Sequence, residues 1–450
     1  MKINSALTKH LLAKKAQHVF HLSAQKIRSM EQTWNPEQGA PVFTIDGRYT
    51  SRGWTEWTQG FQFGASILQY DATGEEEFLE IGRNRTVELM APHVTHIGVH
   101  DHGFNNVSTY GNLLRLMAEG LIEENVWERN FYEMALKCSG AVQAARWSQT
   151  FDGGGYIYSF NGPHSLFVDT IRSLRALAVS HRLGHALMGE NDKKISLLGR
   201  LIDHARATAK YSVFYGEGRD HYDLRGRTTH EAVFNTNDGN YRCPNSQQGY
   251  SPFSTWTRGL AWAMCGFAEQ LEFVHTLQDT DLDPFGGRGA VVDFMKKAAE
   301  ATCDFYIANT PTDGIPYWDT GAPGLARMED WRERSSDPFN PHEPIDSSAA
   351  AIGAQGLLRL GRYLKNETYW QAGLTVCDSL FADPYLSEDP AHQGLILHSV
   401  YHRPNGWDRM PGTDGVPRGE SSMWGDYHAR EVALYLLRLS AGKPYLTFWA

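Results

Sequence analysis

The segment at residues 248–262, QGYSPFSTWTRGLAW, carries groups that suit a sugar bearing a carboxylate. The rings of Trp256 and Trp262 fit the apolar faces of a pyranose, and Gln248 offers an amide. The guanidinium of Arg258 matches a carboxylate with two parallel hydrogen bonds, which an ammonium group cannot do. Because an apolar helical pattern follows, these groups lie at a helix start, where backbone N–H groups also favour an anion. The alternative is structural: both tryptophans belong to the core, and Arg258 caps a neighbouring helix.

A histidine-rich segment at residues 93–106, HVTHIGVHDHGFNN, offers a second set of reactive groups. Imidazoles bind zinc, iron and copper, but this spacing matches no standard ligand pattern, and we predict no metal. Two interpretations of Asp101 stay open. In the first, Asp101 and Asn105 cap a helix at 105–120. In the second, Asp101 is one of two carboxylates in a cleft, with His100 beside it.

A second carboxylate, Asp169, falls on the apolar stripe of a predicted helix at 165–182, near Val168 and Ile171. Burying a carboxylate is costly unless it is paired or protonated, and burial raises its pKa. A raised pKa is what a general acid working near neutral pH requires. The structural alternative is a core aspartate bonded to a backbone group or to an arginine. His230 stands alone in a long loop, where a single histidine indicates little.

Other catalytic patterns are missing from the sequence. Ser347 and Ser348 stand in a run of small residues rather than in a GxSxG elbow, so a serine nucleophile is not indicated. Neither GxGxxG nor GxxxxGK[ST] occurs, so dinucleotide and P-loop functions have no support. A formal charge of −10 without a basic tract argues against nucleic acid and anionic membranes as partners.

The compartment is predicted from the cysteines and the N-terminal residues. The five cysteines are widely spaced and form no CxxC pair, so neither a disulfide framework nor a cysteine zinc site is indicated. The first residues hold no apolar run long enough for a signal peptide or a membrane span. We therefore expect a cytoplasmic protein. The sequence does not determine the oligomeric state and leaves a homo-oligomer open.

Apolar residues recur at spacings of three and four almost throughout the chain, which predicts about twelve helices. Several are joined by short polar turns into hairpins. The predicted helices lie near 5–30, 56–71, 75–90, 105–120, 124–147, 165–182, 191–211, 256–275, 288–308, 346–363, 367–382 and 422–440.

Three longer connections, near 215–254, 309–345 and 383–420, are rich in Gly, Pro, Asn, Asp and aromatic residues. Loops of this length usually serve function. Helix pairs with such loops predict an all-α toroid of six inner and six outer helices, with the loops forming a cleft at one end. A helical solenoid is the competing architecture, although solenoids have clearer periodicity. No break in composition divides the chain, so we expect one catalytic domain over residues 1–450.

Taken together, these segments resemble the unsaturated glucuronyl hydrolases of glycoside hydrolase family 88, with the related family 105 behind them. The resemblance covers roughly residues 40–440, and the motifs occur in the family's order. They are WTQGF at 57–61, HDHGF at 100–104, FVD at 167–169, His230, QGY at 248–250, STWTRGLAW at 254–262, PYWD at 316–319, DSSAAA at 346–351 and WGDY at 424–427.

The resemblance implies an (α/α)6 barrel that removes a C4=C5 unsaturated uronic acid from the non-reducing end of lyase-derived oligosaccharides. It implies that Asp169 protonates C4 of the enol ether and deprotonates a water that attacks C5, after which the hemiketal opens. Asp101 would orient the ring and keep the pKa of Asp169 high through like-charge coupling. No metal or organic cofactor is implied. The implied substrate-binding residues are Trp57, His100, His230, Gln248, Trp256, Arg258 and Trp262.

The sequence also departs from the family pattern around the cleft. Phe160 stands where a wall tryptophan is expected, extra residues lie between Asp169 and His230, and His102 replaces an apolar residue. Three other functions therefore stay open: an exo-β-glucuronidase acting on saturated glucuronides, a sugar epimerase or isomerase on the same barrel, and a carbohydrate-binding toroid without activity.

Overall fold

The computed structural model describes residues 1–52 and 57–449, and helices dominate it. Several long helices begin at a polar side chain: Thr8, Ser196 and Ser422 each accept a hydrogen bond from a backbone N–H of the first turn. Such caps satisfy groups that have no partner inside the helix. The helices described are α1 (Lys9–Thr33), α2 (Gln59–Thr73), α3 (Glu76–Leu89), α4 (Ala91–Val94), α5 (His102–Asn105), α6 (Asn112–Ala118), α7 (Val126–Ala145), α8 (Thr170–Ser173), α9 (Arg175–Arg182), α10 (Leu197–Tyr211), α11 (Thr257–His275), α12 (Asp279–Leu282), α13 (Gly287–Asn309), α14 (Ser347–Leu364), α15 (Glu367–Leu380) and α16 (Met423–Ser440).

The long helices alternate between an inner and an outer ring. The inner ring consists of α2, α5–α6, α8–α9, α11, α14 and α16; consecutive members pack together, and α16 packs against α2 to close the ring. Inner helices are covered on all sides: every residue of α11 from Thr257 to Val274 is buried. The outer helices α1, α3, α7, α10, α13 and α15 bury one face each, as amphipathic patterns predict. The closed ring confirms the all-α (α/α)6 barrel and excludes the solenoid.

Each predicted helix has a counterpart, but some boundaries differ. Residue 56, the predicted start of the second helix, lies outside the described residues, and so does residue 450. The predicted helix at 165–182 begins as a short strand, and helical structure follows only after Asp169. The predicted helix at 105–120 begins earlier, at His102, and contains a π turn over Val107–Gly111 between α5 and α6.

Over residues 1–52 and 57–449, four small antiparallel sheets, which the sequence patterns did not predict, lie outside the helical rings. The sheet β5–β8–β9 is the one that matters for the site, because it pairs Phe167 with Glu231 and Glu231 with Asn245. The strands are β1 (Pro41–Ile45), β2 (Arg48–Ser51), β3 (Trp147–Gln149), β4 (Gly155–Ile157), β5 (Ser165–Phe167), β6 (Leu187–Met188), β7 (Lys194–Ile195), β8 (Glu231–Phe234) and β9 (Tyr241–Asn245).

No helix within the described ranges combines the length and apolarity needed to cross a membrane.

Candidate active site

A cavity lies at the N-terminal ends of the inner helices. Trp57 precedes α2, Asp101 precedes α5, Asp169 precedes α8 and Trp256 precedes α11. Because helix N-termini carry partial positive charge, this end of the barrel favours an anionic ligand. The cavity and its mouth together contain about 570 Å³ of space, part of it open to solvent. Its walls are formed by Trp57, His100, Asp101, Phe160, Phe167, Asp169, Gln247, Gln248, Trp256, Arg258, Trp262, Tyr401, His402 and Trp407.

Asp169 lies in the turn between β5 and α8, and the small sheet fixes its position. Next to it, the backbone N–H of Val168 donates to the carbonyl oxygen of His230 at 2.9 Å. Asp169 is only 9% exposed, and its buried Oδ1 has no hydrogen-bond partner among the described residues. The prediction that Asp169 belongs to the apolar stripe of a helix is therefore wrong, and so is the alternative of a satisfied core aspartate. Its carboxylate faces the cavity and is available to a ligand.

His100 stands between the two carboxylates. Its Nε2 lies 3.7 Å from Asp101 Oδ1 and 3.6 Å from Asp169 Oδ2. The imidazole stacks on Phe160, with ring centroids 6.1 Å apart, and meets the edge of Phe167 at 5.5 Å. These rings hold the imidazole in place, so the two acids and the histidine form one buried cluster.

The capping interpretation of Asp101 is wrong. Asp101 precedes α5, but its side chain makes no capping hydrogen bond to that helix. Asn105, the other proposed cap, instead accepts a hydrogen bond from the backbone N–H of Gly60 through its Oδ1 at 2.9 Å. Asp101 is thus left as the second carboxylate of the cavity wall, as the cleft interpretation predicted.

The proton distribution in the cluster differs from the one expected. Burial acts to raise the pKa of Asp169, but the contact with His100 outweighs it, and the pKa is lowered. Burial raises the pKa of Asp101. For His100, burial acts to lower the pKa, but the charges of Asp101 and Asp169 outweigh it, and the pKa is raised. The expectation of a raised pKa for Asp169 is therefore wrong for the protein without substrate, because an imidazole stands between the carboxylates.

Two other histidines of the 93–102 segment, His93 and His102, have structural partners. His102 contacts the Ser139 hydroxyl through Nδ1 at 3.0 Å and the His96 carbonyl oxygen through Nε2 at 3.0 Å. His93 contacts the amide nitrogen of Asn105 through Nδ1 at 3.2 Å. Within the described chain, His100, Asp101 and Asp169 are the one set whose ligand atoms lie within 4.8 Å of one another. The same three groups are suited to proton transfer. That the protein binds no metal stays a prediction.

Arg258 is buried in the cavity wall; both of its Nη atoms are already engaged, whereas its Nε has no hydrogen-bond partner among the described residues. Its Nη2 donates to Gln248 Oε1 at 2.7 Å and to the Tyr401 carbonyl oxygen at 2.8 Å, and Nη1 donates to the Val400 carbonyl oxygen. Nη1 also lies 3.5 Å from the Asp346 carboxylate. The expected two-pronged grip on a substrate carboxylate is therefore not available through the two Nη atoms in this structure. Arg258 supplies positive charge and holds Gln248 in place, and the alternative that it merely caps a helix is also wrong.

His230 supports the segment that carries Gln248. Its Nδ1 accepts hydrogen bonds from the backbone N–H groups of Gln247 at 3.1 Å and Gln248 at 3.3 Å. Burial lowers the pKa of His230 to about 4, so the ring is neutral with its hydrogen on Nε2. That Nε2 is buried without a hydrogen-bond partner in the described part of the chain. The ring packs against Phe167 and Trp256, with centroids 4.2 and 4.8 Å away.

Aromatic walls are present where the sequence predicted them. Trp57 stacks on Trp424 with ring centroids 4.9 Å apart, and Trp256 and Trp262 are 3% and 1% exposed. The two interpretations of these tryptophans are thus both correct: they belong to the core and also line the cavity. Phe160, at the position expected for a tryptophan, serves as the ring that stacks on His100.

The sequence reasoning missed the wall formed by Tyr401, His402 and Trp407. These residues lie in the 383–420 connection, which was predicted to reach the cleft without any residue being singled out. Asp408 holds the turn by accepting hydrogen bonds from the backbone N–H groups of Tyr401 and His402. The loops at 215–254 and 383–420 both contribute to the cavity, as predicted. The 309–345 loop does not line the cavity but supports the 248–250 segment. Its Asp319 carboxylate accepts a hydrogen bond from the backbone N–H of Tyr250 at 2.8 Å.

The chain is similar to known hydrolases along most of its length. It is 24% identical over 379 residues to an unsaturated glucuronyl hydrolase of Formosa agariphila, covering 84% of this chain and 79% of the relative. It is 26% identical over 411 residues to an unsaturated glucuronyl hydrolase of Bacillus sp., covering 88% and 89%. No family model matches the sequence.

The fold is also found among solved structures. An unsaturated glucuronyl hydrolase specific for heparin superposes with a TM-score of 0.71 at 20% identity, covering 95% of this chain and 98% of the other. These similarities confirm the resemblance to the unsaturated glucuronyl hydrolases that the motifs indicated, and they confirm the barrel.

Proposed function

We propose that this chain is a glycoside hydrolase that removes a C4=C5 unsaturated uronic acid from the non-reducing end of lyase-derived oligosaccharides. One observation supports it most: two buried carboxylates, Asp101 and Asp169, share an aromatic-walled cavity at the positive ends of the inner helices. The length over which named unsaturated glucuronyl hydrolases match adds support. The uronate would enter this cavity with its apolar ring faces against the tryptophans.

The proposed reaction is a hydration. Asp169 donates a proton to C4 of the enol ether, and the π electrons of C4=C5 form the new C–H bond. A water then attacks C5 and gives up its proton to Asp169. The hemiketal at C5 opens and the remaining sugar is released. Asp101, on the other side of His100, orients the sugar ring. General acid–base catalysis of this kind contributes about 10²–10⁴-fold in rate.

Inverting displacement on a saturated glucuronide fits the site less well. An inverting glycosidase separates its carboxyl groups by about 6.5–9.5 Å, which leaves room for a water between them. Here the nearest oxygens of Asp101 and Asp169 lie within 4.8 Å of each other. Hydration does not need the wider gap, because one carboxyl group both gives and takes the proton.

We propose the substrate-binding roles that the resemblance implied, with one change. Gln248, His230 and Trp57 keep the roles that the resemblance implied, whereas Arg258 acts by charge and through Gln248. We also propose that residues 1–450 form one catalytic domain in the cytoplasm that acts on oligosaccharides and not on nucleic acid, without a cofactor.

An ultraviolet assay on lyase-derived disaccharides tests this function, because hydration destroys the absorbance of the C4=C5 bond. A panel of glucuronate, galacturonate and sulfated substrates, with a saturated glucuronide as control, should show turnover of unsaturated compounds only. Loss of activity in Asp169→Asn with substrate binding retained is the second expected result. Release from the saturated glucuronide without any loss of absorbance in the unsaturated set would refute the proposal.

A further inference from the structure

The cluster of His100, Asp101 and Asp169 holds one basic group between two acids. The Nε2 atom of His100 is 3.6 Å from one carboxylate and 3.7 Å from the other, so a proton on this nitrogen faces both. Neither ring nitrogen of His100 has a hydrogen-bond partner among the described residues, although both are buried. A buried imidazole without such partners is costly unless a charge interaction compensates. The two carboxylates provide that interaction.

The buried histidines His204 and His230 and the Arg146 guanidinium do not compete for this proton. Burial lowers the pKa of His204 to about 3 and that of His230 to about 4, so both rings are neutral. The Arg146 guanidinium donates to the carbonyl oxygens of Tyr158 and Ser159 and is permanently charged. The groups that face the cluster from neighbouring elements are Arg146 after α7, His204 in α10, His230 before β8, Arg258 in α11 and His96 in the same segment.

We propose that His100 is a proton-holding residue: before substrate binds, its imidazolium carries the proton that Asp169 later delivers to the sugar. The proton passes to Asp169 when the sugar displaces water from the cavity. This inference rests on the proposed function and adds a residue that acts through Asp169. It also gives the proton a holder in the protein without substrate, where the contact with His100 outweighs burial and lowers the pKa of Asp169.

The transfer balances in atoms and charge. The Nε2–H bond of His100 breaks, an O–H bond forms on Oδ2 of Asp169, and an ion pair becomes a neutral pair. Exclusion of water favours this direction, because buried charges lose their hydration. Asp169 then gives the proton to C4 and receives one from the attacking water. When product leaves and water returns, the proton moves back to Nε2 of His100.

Nuclear magnetic resonance of the substrate-free protein tests where the proton resides. With 15N-labelled histidine, the signal lost in the His100→Gln variant is assigned to His100. In the wild-type protein the 15N signal of His100 should be that of an imidazolium at pH 7, and its titration midpoint should lie above this pH. In Asp101→Asn the titration midpoint of His100 should move to lower pH. A neutral His100 at pH 7 would refute the proposal. The Asp101→Asn arm decides the matter independently if His100→Gln does not fold.

The pH dependence of kcat/KM on an unsaturated disaccharide provides the kinetic test. Glutamine keeps an N–H near the position of Nε2 but cannot carry the proton. In His100→Gln the proton must be held by the carboxylates, whose ordinary pKa lies below that of imidazole. The basic limb should therefore move to lower pH, and kcat at neutral pH should fall about 10- to 100-fold.

A matched control is His164→Asn, an exposed histidine four positions after Phe160, which should leave the profile unchanged. A purely structural role for His100 would lower kcat/KM equally at all pH values and leave the basic limb in place, and that result would overturn the proposal. If no unsaturated substrate is turned over at all, the proposed function fails. The titration of the substrate-free protein then still decides the location of the proton.

Discussion

Arg258 holds Gln248 in a single orientation, because its Nη2 donates to Gln248 Oε1 at 2.7 Å. The guanidinium itself is fixed between Trp256 and Trp424, with its carbon 4.6 and 4.7 Å from the two ring centroids. Since the amide oxygen of Gln248 is engaged, its amide nitrogen is the end that remains to donate to a carboxylate. We therefore propose that Arg258, which the sequence predicts to bind substrate directly, acts in large part through Gln248.

Substitution of Arg258 by lysine should weaken substrate binding strongly. An ammonium group cannot keep the planar contacts with both tryptophans and the hydrogen bonds to Gln248 and Tyr401 together. We expect kcat/KM to fall about 10- to 100-fold, mainly through KM, because hydrogen bonds to charged groups contribute about 1.5–3 kcal/mol. Steady-state kinetics on an unsaturated disaccharide measure this.

The control for this prediction is a double-mutant cycle with Gln248→Leu. If Arg258 acts through Gln248, the double variant should lose clearly less than the sum of the two single losses. Strict additivity of the losses would show that Arg258 and Gln248 contact the substrate independently.

The barrel could be predicted from the sequence because its signal is spread over the whole chain. Apolar residues at spacings of three and four mark both rings, and long loops between helix pairs mark the cleft. The small strands could not be predicted in this way. β5 covers only Ser165–Phe167, and its pairing with β8 depends on residues more than sixty positions away. For this reason the sequence pattern predicts a helix at Asp169, where the structure has a turn between β5 and α8. The prediction that Asp169 is buried is confirmed.

Gly103, within the HDHGF motif, should not tolerate a side chain. A Cβ at this position would lie 2.1 Å from the carbonyl oxygen of Ser173, so α5 and α8 could not approach as they do. We expect Gly103→Ala to lower the free energy of unfolding by about 1–3 kcal/mol and to lower kcat, because Asp101 precedes α5 and Asp169 precedes α8. Chemical denaturation and kinetics measure the two effects.

Gly289 in α13 gives the matched comparison. A Cβ there meets no atom within 4 Å, and the residue is exposed. Gly289→Ala should therefore raise stability by about 0.5–1 kcal/mol, as alanine does in a helix, and leave kcat unchanged. Equal stability losses in both variants would contradict the packing argument.

Buried neutral histidines should make the fold sensitive to mild acid. Burial lowers the pKa of His398 to about 4, whereas an unfolded histidine has a pKa near 6.5. As the pH falls, the unfolded state binds the proton first, so this stability is fully present above about pH 6.5 and is lost towards pH 4. His398→Asn should reduce the difference in unfolding free energy between pH 7 and pH 5 by about 2 kcal/mol.

Asparagine suits this position because His398 has φ +67°, a conformation that asparagine tolerates well. Denaturation curves at several pH values measure the effect, with exposed His164→Asn as the control. An unchanged slope in His398→Asn would show that His398 is not the buried neutral base described here.

Metal removal should leave activity intact. The proposed hydration is carried by proton transfers among His100, Asp101 and Asp169, so incubation with a chelator followed by dialysis should not change kcat/KM. Loss of activity on chelation, with recovery on adding one divalent cation, would assign these three groups to a metal instead.

The composition of the site could be predicted only in part. Carboxylates and tryptophans stand out by residue type, and each predicted group except His230 contributes to the cavity wall itself. The placement of His100 between both acids could not be predicted, because it depends on how α5 and α8 meet. The cavity wall at Tyr401 and His402 could not be predicted either, because hydrogen bonds to Asp408 hold its backbone in a loop that has no periodic pattern.

Hydration in heavy water tests the central claim most directly. If Asp169 protonates C4, the product first formed in D2O from an unsaturated disaccharide, before the hydrogens next to the C5 ketone exchange with solvent, carries one deuterium at C4, which proton nuclear magnetic resonance and mass spectrometry detect. The Asp169→Asn variant should form this product at a rate at least about 100-fold lower. Release of the uronic acid with its C4=C5 bond intact and no deuterium at C4 would contradict the account, because the glycosidic bond would then have been displaced directly.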